Sequence, residues 1–176
     1  MPPSIIIEGP DRCGKSTLVG MLAKELPKYT LLHFKGPPPG LARHDQSVHQ
    51  QLVFMRMAAG LQHGLYLCDR SHIGELVYAP LYRGYYPTWW QHIDSKVASD
   101  TIVVLLLTSE ELFKKRWDKK GDTVPTDYAL VSKLFEAALN SSDLPVKRVF
   151  QSHTIEDLLA AKAWVLDCIK RQNGLD

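Results

Sequence analysis

The stretch that most limits what this chain can become is Gly9-Pro10-Asp11-Arg12-Cys13-Gly14-Lys15-Ser16-Thr17, two glycines separated by four residues and followed by a lysine and two hydroxyls. Before it, Ser4-Ile5-Ile6-Ile7-Glu8 is a β-branched run of the kind that fills a buried parallel strand. After it, Leu18, Met21, Leu22 and Leu26 recur at helical spacing. Strand, glycine loop and helix in that order make a phosphate cradle. The glycines let successive N–H groups turn inward, and the helix begins with its positive dipole end at the same point. On this reading Gly9, Asp11, Arg12, Cys13, Gly14, Lys15, Ser16 and Thr17 surround the phosphates of ATP. Lys15 reaches the β- and γ-phosphates and the Ser16 hydroxyl ligates Mg²⁺. No histidine neighbours Cys13 in sequence, so its thiol reads as filler.

A chain of 176 residues with 45% hydrophobic and 23% charged residues suits one α/β domain, residues 1–176, with a full core. A net charge of +2 is too small to imply nucleic acid as the main partner, so affinity for phosphates has to come from local clusters. Cys13, Cys68 and Cys168 are far apart and odd in number, which points to a reducing, cytoplasmic setting. Met1-Pro2-Pro3 runs straight into the first strand without a basic-then-apolar leader, and the longest apolar run, Ile102 to Leu107, is too short to span a bilayer.

Further strands are expected at Thr30–Phe34, Leu65–Asp69, Ile102–Leu107 and Val146–Phe150, with helices between them. Asp45 to about His63 reads as a helix with Val48, Leu52, Met55 and Ala59 on one apolar face and Phe54, Ala58 and Leu61 beside it. Pro80 should kink or end the helix that starts at Ile73, and Thr154-Ile155-Glu156-Asp157 caps the closing helix. Alternating strands and helices make a three-layer, doubly wound parallel sheet of about five strands with helices on both faces. Ligands of such sheets sit beyond the carboxyl ends of the strands, where the glycine loop, the residues after Phe34, and Asp69-Arg70 all fall. Asp69 ends a hydrophobic strand and can complete a Mg²⁺ shell opposite Ser16. Arg70, next to it, can grip a second phosphate that is not part of the triphosphate.

Glu8-Gly9-Pro10-Asp11 followed by Gly14-Lys15-Ser16-Thr17, together with Asp69-Arg70, resembles the thymidylate kinase signature over roughly residues 4–26 and 65–78. The resemblance implies a P-loop fold of the nucleoside monophosphate kinase type with a short lid. It further implies that Asp11 lies near the acceptor's sugar hydroxyl, that Arg12 is a loop-borne arginine assisting γ-phosphate transfer, and that Asp69 and Arg70 hold metal-linked water and the acceptor phosphate. The family often forms homodimers. This chain departs from the pattern in three places. Phe34-Lys35-Gly36-Pro37 stands where the family has F-P-x-R, leaving Lys35 or Arg43 to replace an arginine. The segment before Gly64 is short for a base-stacking helix pair, with Phe54 and Arg56 as its candidates. Ser71 to Tyr78 is not the family's text, and the whole reads as a shortened, viral deoxynucleotide kinase.

Lys114-Lys115-Arg116-Trp117-Asp118-Lys119-Lys120-Gly121-Asp122 is the densest basic cluster. Its place after the fourth strand, ending at Gly121, reads as a lid at about residues 114–124, with Arg116 first and Lys120 second as contacts to the transferring phosphate. Tyr78, Tyr82, Arg83, Tyr85, Tyr86, Trp89 and Trp90 crowd after Asp69-Arg70. Of these Tyr78 and Arg83 are the candidates for a base pocket, and Glu75 for a sugar hydroxyl. His72, His92 and His153 have no second ligand at metal spacing.

The function these readings favour is Mg²⁺-dependent transfer of the ATP γ-phosphoryl group to a deoxynucleoside monophosphate. A kinase of the same fold acting on a hydroxyl, of a nucleoside or of hydroxymethyluracil in viral DNA, is the near rival and the only one with nucleic acid as a partner. It needs Asp69 or Glu75 as base. The rival of another class is a nucleotide-binding regulatory module, against which stands the lack of an N-K-x-D motif.

Overall fold

A computed structural model describes residues 2–120 and 123–174. The strands are β1 (Ile5–Glu8), β2 (Thr30–His33), β3 (Tyr66–Asp69), β4 (Ile102–Leu107) and β5 (Val146–Gln151). They form one sheet, all parallel, in the order β2-β3-β1-β4-β5. The helices are α1 (Lys15–Glu25), α2 (Arg43–Leu61), α3 (His72–Tyr78), α4 (Trp90–Asp94), α5 (Glu110–Arg116), α6 (Tyr128–Ser141) and α7 (Ile155–Gln172). The α/β doubly wound fold expected from the alternation of elements is the fold observed.

Period-two alternation in the central strands divides the core into two layers. Ile6, Val103 and Leu105 face α2, α3, α4 and α6, burying Phe54, Ile73, Ile93 and Phe135. Ile5, Ile7, Val104 and Leu106 face the opposite way, against Leu18 and Leu22 of α1 and Ala161 and Val165 of α7. Both faces of β1 and β4 are covered, which is why their text is a continuous β-branched and leucine run rather than an alternating one.

Helix α2 starts earlier than expected, with Ala42 as its N-cap and Asp45 inside the first turn. Its buried face also differs from the expected one. Phe54, Met57, Ala58 and Leu61 turn inward, while Leu52, Met55 and Val48 are 53%, 43% and 39% exposed. Both stripes have helical spacing. The Phe54 ring packs against Phe34, His72 and Trp89 at centroid distances of 5.6, 6.4 and 6.1 Å, and those neighbours decide which stripe is buried. Pro80 ends α3 as expected, but the chain continues as a wider π-type turn over Ala79–Arg83, closed by Gly84 at φ 71°. The closing helix is capped by Thr154 and Asp157 in a reciprocal capping box. Among the described residues, no helix is long and apolar enough to cross a membrane.

Candidate functional site

The carboxyl edge of the sheet carries a cavity of about 640 Å³ bounded by Asp11, Arg12 and Gly14 to Thr17 on one side and by His33, Asp69 and Arg70 on another. Ser152, His153, Thr154, Ile155 and Leu158 close it from the β5–α7 side. Gly14, at φ 90°, is the N-cap of α1 and offers no side-chain cap, so the first amides of the helix are left for an anion. Gly9 is required by close approach, since a Cβ there would lie 2.2 Å from the Leu106 carbonyl oxygen. Lys15 is buried and folds back across the loop, its Nζ donating to the Pro10 carbonyl at 2.5 Å. The Cys13 side chain is fully buried in the core, and burial pushes its thiol up. Its carbonyl accepts a bond from the Ser152 hydroxyl at 2.5 Å, so only the main chain of Cys13 belongs to the loop.

The basic cluster divides. Arg116 lines the cavity but its guanidinium is already engaged. Its guanidinium donates to the carbonyls of Arg12, Ser152 and His153 at 3.4, 3.3 and 3.0 Å, tying the phosphate loop to the turn after β5. Arg12, in the left-handed region at φ 62°, forms an ion pair with Asp118. Lys120 is exposed and outside the cavity wall, and its main-chain N–H donates to the same Asp118 carboxylate at 3.1 Å. The expected hinge at Gly121 lies outside the described residues. Thr123, beyond it, is fully buried, with its hydroxyl 3.4 Å from that of Tyr78 and its main chain hydrogen-bonded to Asp11.

At the end of β3 one Asp69 oxygen lies 2.9 Å from His33 Nδ1, while the other, Oδ1, is buried without a protein partner. A buried unsatisfied carboxylate oxygen on the wall of a cavity that Ser16 also lines is a donor set of the hard-oxygen type suited to Mg²⁺. The next residue, Arg70, takes φ 76° and bonds the Ile7 carbonyl through its N–H at 2.9 Å. Its guanidinium turns to the loop and pairs with Asp11. Burial raises the Asp11 pKa, but Arg70 and Lys15 outweigh it and hold the carboxyl below its ordinary value.

Arg70 also borders a second, narrow pocket of about 20 Å³ walled by Phe34, Phe54 and Tyr78, with Lys35, Glu75 and Arg83 around it. Six of the residues expected on the substrate side therefore meet there, and Asp11 reaches them through Arg70. Arg56 does not; it is exposed on α2 and lines neither space. Glu75 is engaged on both oxygens, by Arg83 at 2.5 Å and by the Tyr85 hydroxyl. Glu8 ends β1 fully buried. It accepts from the Ser71 hydroxyl at 2.6 Å and the Gly74 N–H at 3.1 Å, clamping α3 to the loop, and burial pushes its carboxyl up.

Comparison with known proteins gives the chain its relatives. It is 31% identical over 121 residues, 67% of this chain and 69% of the relative, to the SPbeta prophage-derived uncharacterized protein YorR of Bacillus subtilis (strain 168). The chain belongs to the YorR family. A crystal structure of YorR from Bacillus subtilis in complex with phosphorylated GDP superimposes with a TM-score of 0.71 at 24% identity, covering 98% of each chain. The thymidylate kinase of Candida albicans superimposes with a TM-score of 0.62 at 19% identity, covering 99% of this chain and 93% of that one. That of Ehrlichia chaffeensis gives 0.62 at 16%, covering 94% and 97%. At those identities the likeness concerns the fold, which is that of a thymidylate kinase-like P-loop kinase. No family model matches the sequence.

Three features of this YorR-family site escaped the sequence reading. His33, Asp118 and the Ser152–Leu158 wall each meet a partner far away in the chain or belong to a segment read only as a cap. His33 alone left a trace: it ends β2 as Asp69 ends β3, and in a parallel sheet strand ends fall side by side, here in direct register.

Proposed function

We propose that this chain is a Mg²⁺-dependent kinase that moves the γ-phosphoryl group of ATP to the phosphate of a deoxynucleoside monophosphate, as a single domain of residues 1–176 with a lid at about 114–124. The observation that carries the reading is the position of Arg70. Its guanidinium faces the phosphate loop, paired with the loop's own Asp11, and it borders both the large cavity and the small pocket. An arginine between two spaces can hold an acceptor phosphate against a donor phosphate, Asp11 giving way as a second anion arrives.

In this reading the loop amides and Lys15 bind the triphosphate, and Arg12 leaves Asp118 for the transferring group. Ser16 and Asp69 hold Mg²⁺, which neutralises charge on the β- and γ-phosphates. Arg116 keeps the loop and the β5–α7 turn together as a wall excluding water. An acceptor phosphate, whose second pKa is about 6, is already ionised near neutral pH, so alignment and charge stabilisation suffice. A hydroxyl acceptor would need a free base: Glu75 has both oxygens engaged, and Asp69, whose Oδ1 has no protein partner, is given to the metal in this reading. The guanine nucleotide bound by YorR supports nucleotides as the substrate class.

The test is coupled ADP release with Mg·ATP across nucleoside monophosphates, nucleosides and hydroxymethylated DNA. Turnover confined to monophosphates is expected. Turnover confined to nucleosides or DNA would transfer the reading to the hydroxyl kinase, and tight ATP binding without acceptor-stimulated release to the regulatory module.

A further inference from the structure

Arg83 and Glu75 line the small pocket that Arg70 also borders, and their positions speak to which acceptor fits. The Tyr78 ring has the Arg70 guanidinium at 5.6 Å and that of Arg83 at 5.9 Å, so one aromatic side chain contacts both. At 20 Å³ the pocket holds no base as it stands. It shares Arg83 and Gly36 with a second opening of about 500 Å³, walled by Pro37, Pro38 and Pro39 with Arg43 and Gln46. Arg83 sits within a π-type turn, a form that recurs at functional sites, and packs directly on Gly36, where a Cβ would lie 3.0 Å from its Nη2. Movement of one guanidinium toward the proline-walled side would join the two spaces.

We propose that Arg83 and Glu75 are a base-reading pair, and that the acceptor they select is a guanine nucleoside monophosphate. This rests on the acceptor half of the kinase reading. An arginine fork donates two bonds, and among the bases guanine offers two acceptors on one edge, O6 and N7. A carboxylate accepts on two oxygens, and guanine offers the N1–H and the N2 amino group on the edge beside O6. Because the two edges adjoin at O6, the base can engage Arg83 and Glu75 while these stay neighbours, and it replaces the donor that Tyr85 now supplies to Glu75. Phe34 and Phe54 provide the apolar wall. Adenine places an amino group where Arg83 donates, and cytosine does the same. Thymine meets each side chain with only one complementary atom.

The full chain is tested by equilibrium binding and by coupled ADP release with dGMP, GMP, dAMP, dTMP and dCMP. Guanine monophosphates are expected to exceed dAMP and dCMP by about tenfold to a hundredfold, the usual value of one good bidentate pair. Arg83→Gln and Glu75→Gln should each bring the bases to within about threefold of one another while ATP affinity stays unchanged, and Arg83→Lys should not rescue, because a point charge cannot span two acceptors. Equal binding of dAMP and dGMP, a preference for dTMP, or a uniform loss of all monophosphates in Arg83→Gln would overturn the proposal. Selective guanine binding without turnover would sink the transfer reaction and leave the base reading standing; binding of no monophosphate would remove the base reading.

Discussion

On the loop side of Arg70 a cavity of about 640 Å³ stands open; on its other side the pocket walled by Phe34, Phe54 and Tyr78 measures about 20 Å³. The open side carries charged and hydroxyl side chains on a frame fixed by backbone. Gly9 packs on Leu106, Gly14 caps α1, and the turn after β5 is tied down by Ser152 and Arg116. Main-chain amides have few alternative positions, so the space persists without a ligand. The narrow side is closed by charged side chains that satisfy one another, Arg83 with Glu75 within it and Arg70 with Asp11 on the boundary between the two spaces. Paired side chains can exchange one partner for another, so that side opens in response to its ligand. In the proposed reading the donor binds in a preformed site and the acceptor enters by displacement.

The comparison breaks first at Lys15. Lys15→Ala should lower kcat by at least about 10²-fold through loss of a charge contact to the transferring group. A steady-state rate within a few fold of the parent would remove the donor assignment. Arg70→Gln is the sharper cut between the two sides. It should lower kcat/KM for the monophosphate by about tenfold to a hundredfold, as loss of a charged hydrogen bond does, with KM for ATP unchanged. An equal rise in KM for ATP would mean that the two spaces are one site.

Helix α3, which lines the small pocket through Glu75 and Tyr78, is anchored by His72, whose Nε2 lies 2.8 Å from Asp94 in a fully buried pair. Asp94 also accepts from the Ser142 hydroxyl at 2.8 Å and the Asp143 N–H at 2.9 Å. Burial pushes its carboxyl up, but these bonds outweigh it and hold the pKa below the ordinary 3.8. Its contribution is therefore complete above that value and is lost as pH falls through the lower folded one. Asp94→Asn should cost about 1–3 kcal/mol in urea unfolding at neutral pH, and its gap from the parent should narrow as pH drops below 3.8. A gap that does not change with pH would show that packing, not charge, anchors α3. The smallest effect belongs to the exposed stripe of α2, where Leu52→Ser should change stability by no more than about 0.5 kcal/mol. A larger loss would mean that something covers this face in solution.

Much of the phosphate-loop side could be read from the text because its parts are contiguous. Strand, glycines, lysine and helix follow one another, and the geometry between them is local. Asp69-Arg70 was legible for the same reason, as a carboxylate and a guanidinium ending a hydrophobic strand. The narrow side was legible only as a crowd of candidates, Phe54, Glu75, Tyr78 and Arg83 among them, without the pairings that close it. On α2 two stripes shared one period, and the amphipathic pattern could not choose between them.

The order of residues along this chain determined the loop and the alternation of strands and helices, because each depends on neighbours within a few positions, and that alternation implied the parallel sheet. Only the tertiary structure decided that Arg116 binds carbonyls, that Arg12 meets Asp118, that His33 faces Asp69 and that Phe54 rather than Leu52 turns inward. Those are choices among partners distant in sequence, made by which surfaces the packed sheet brings within bonding distance.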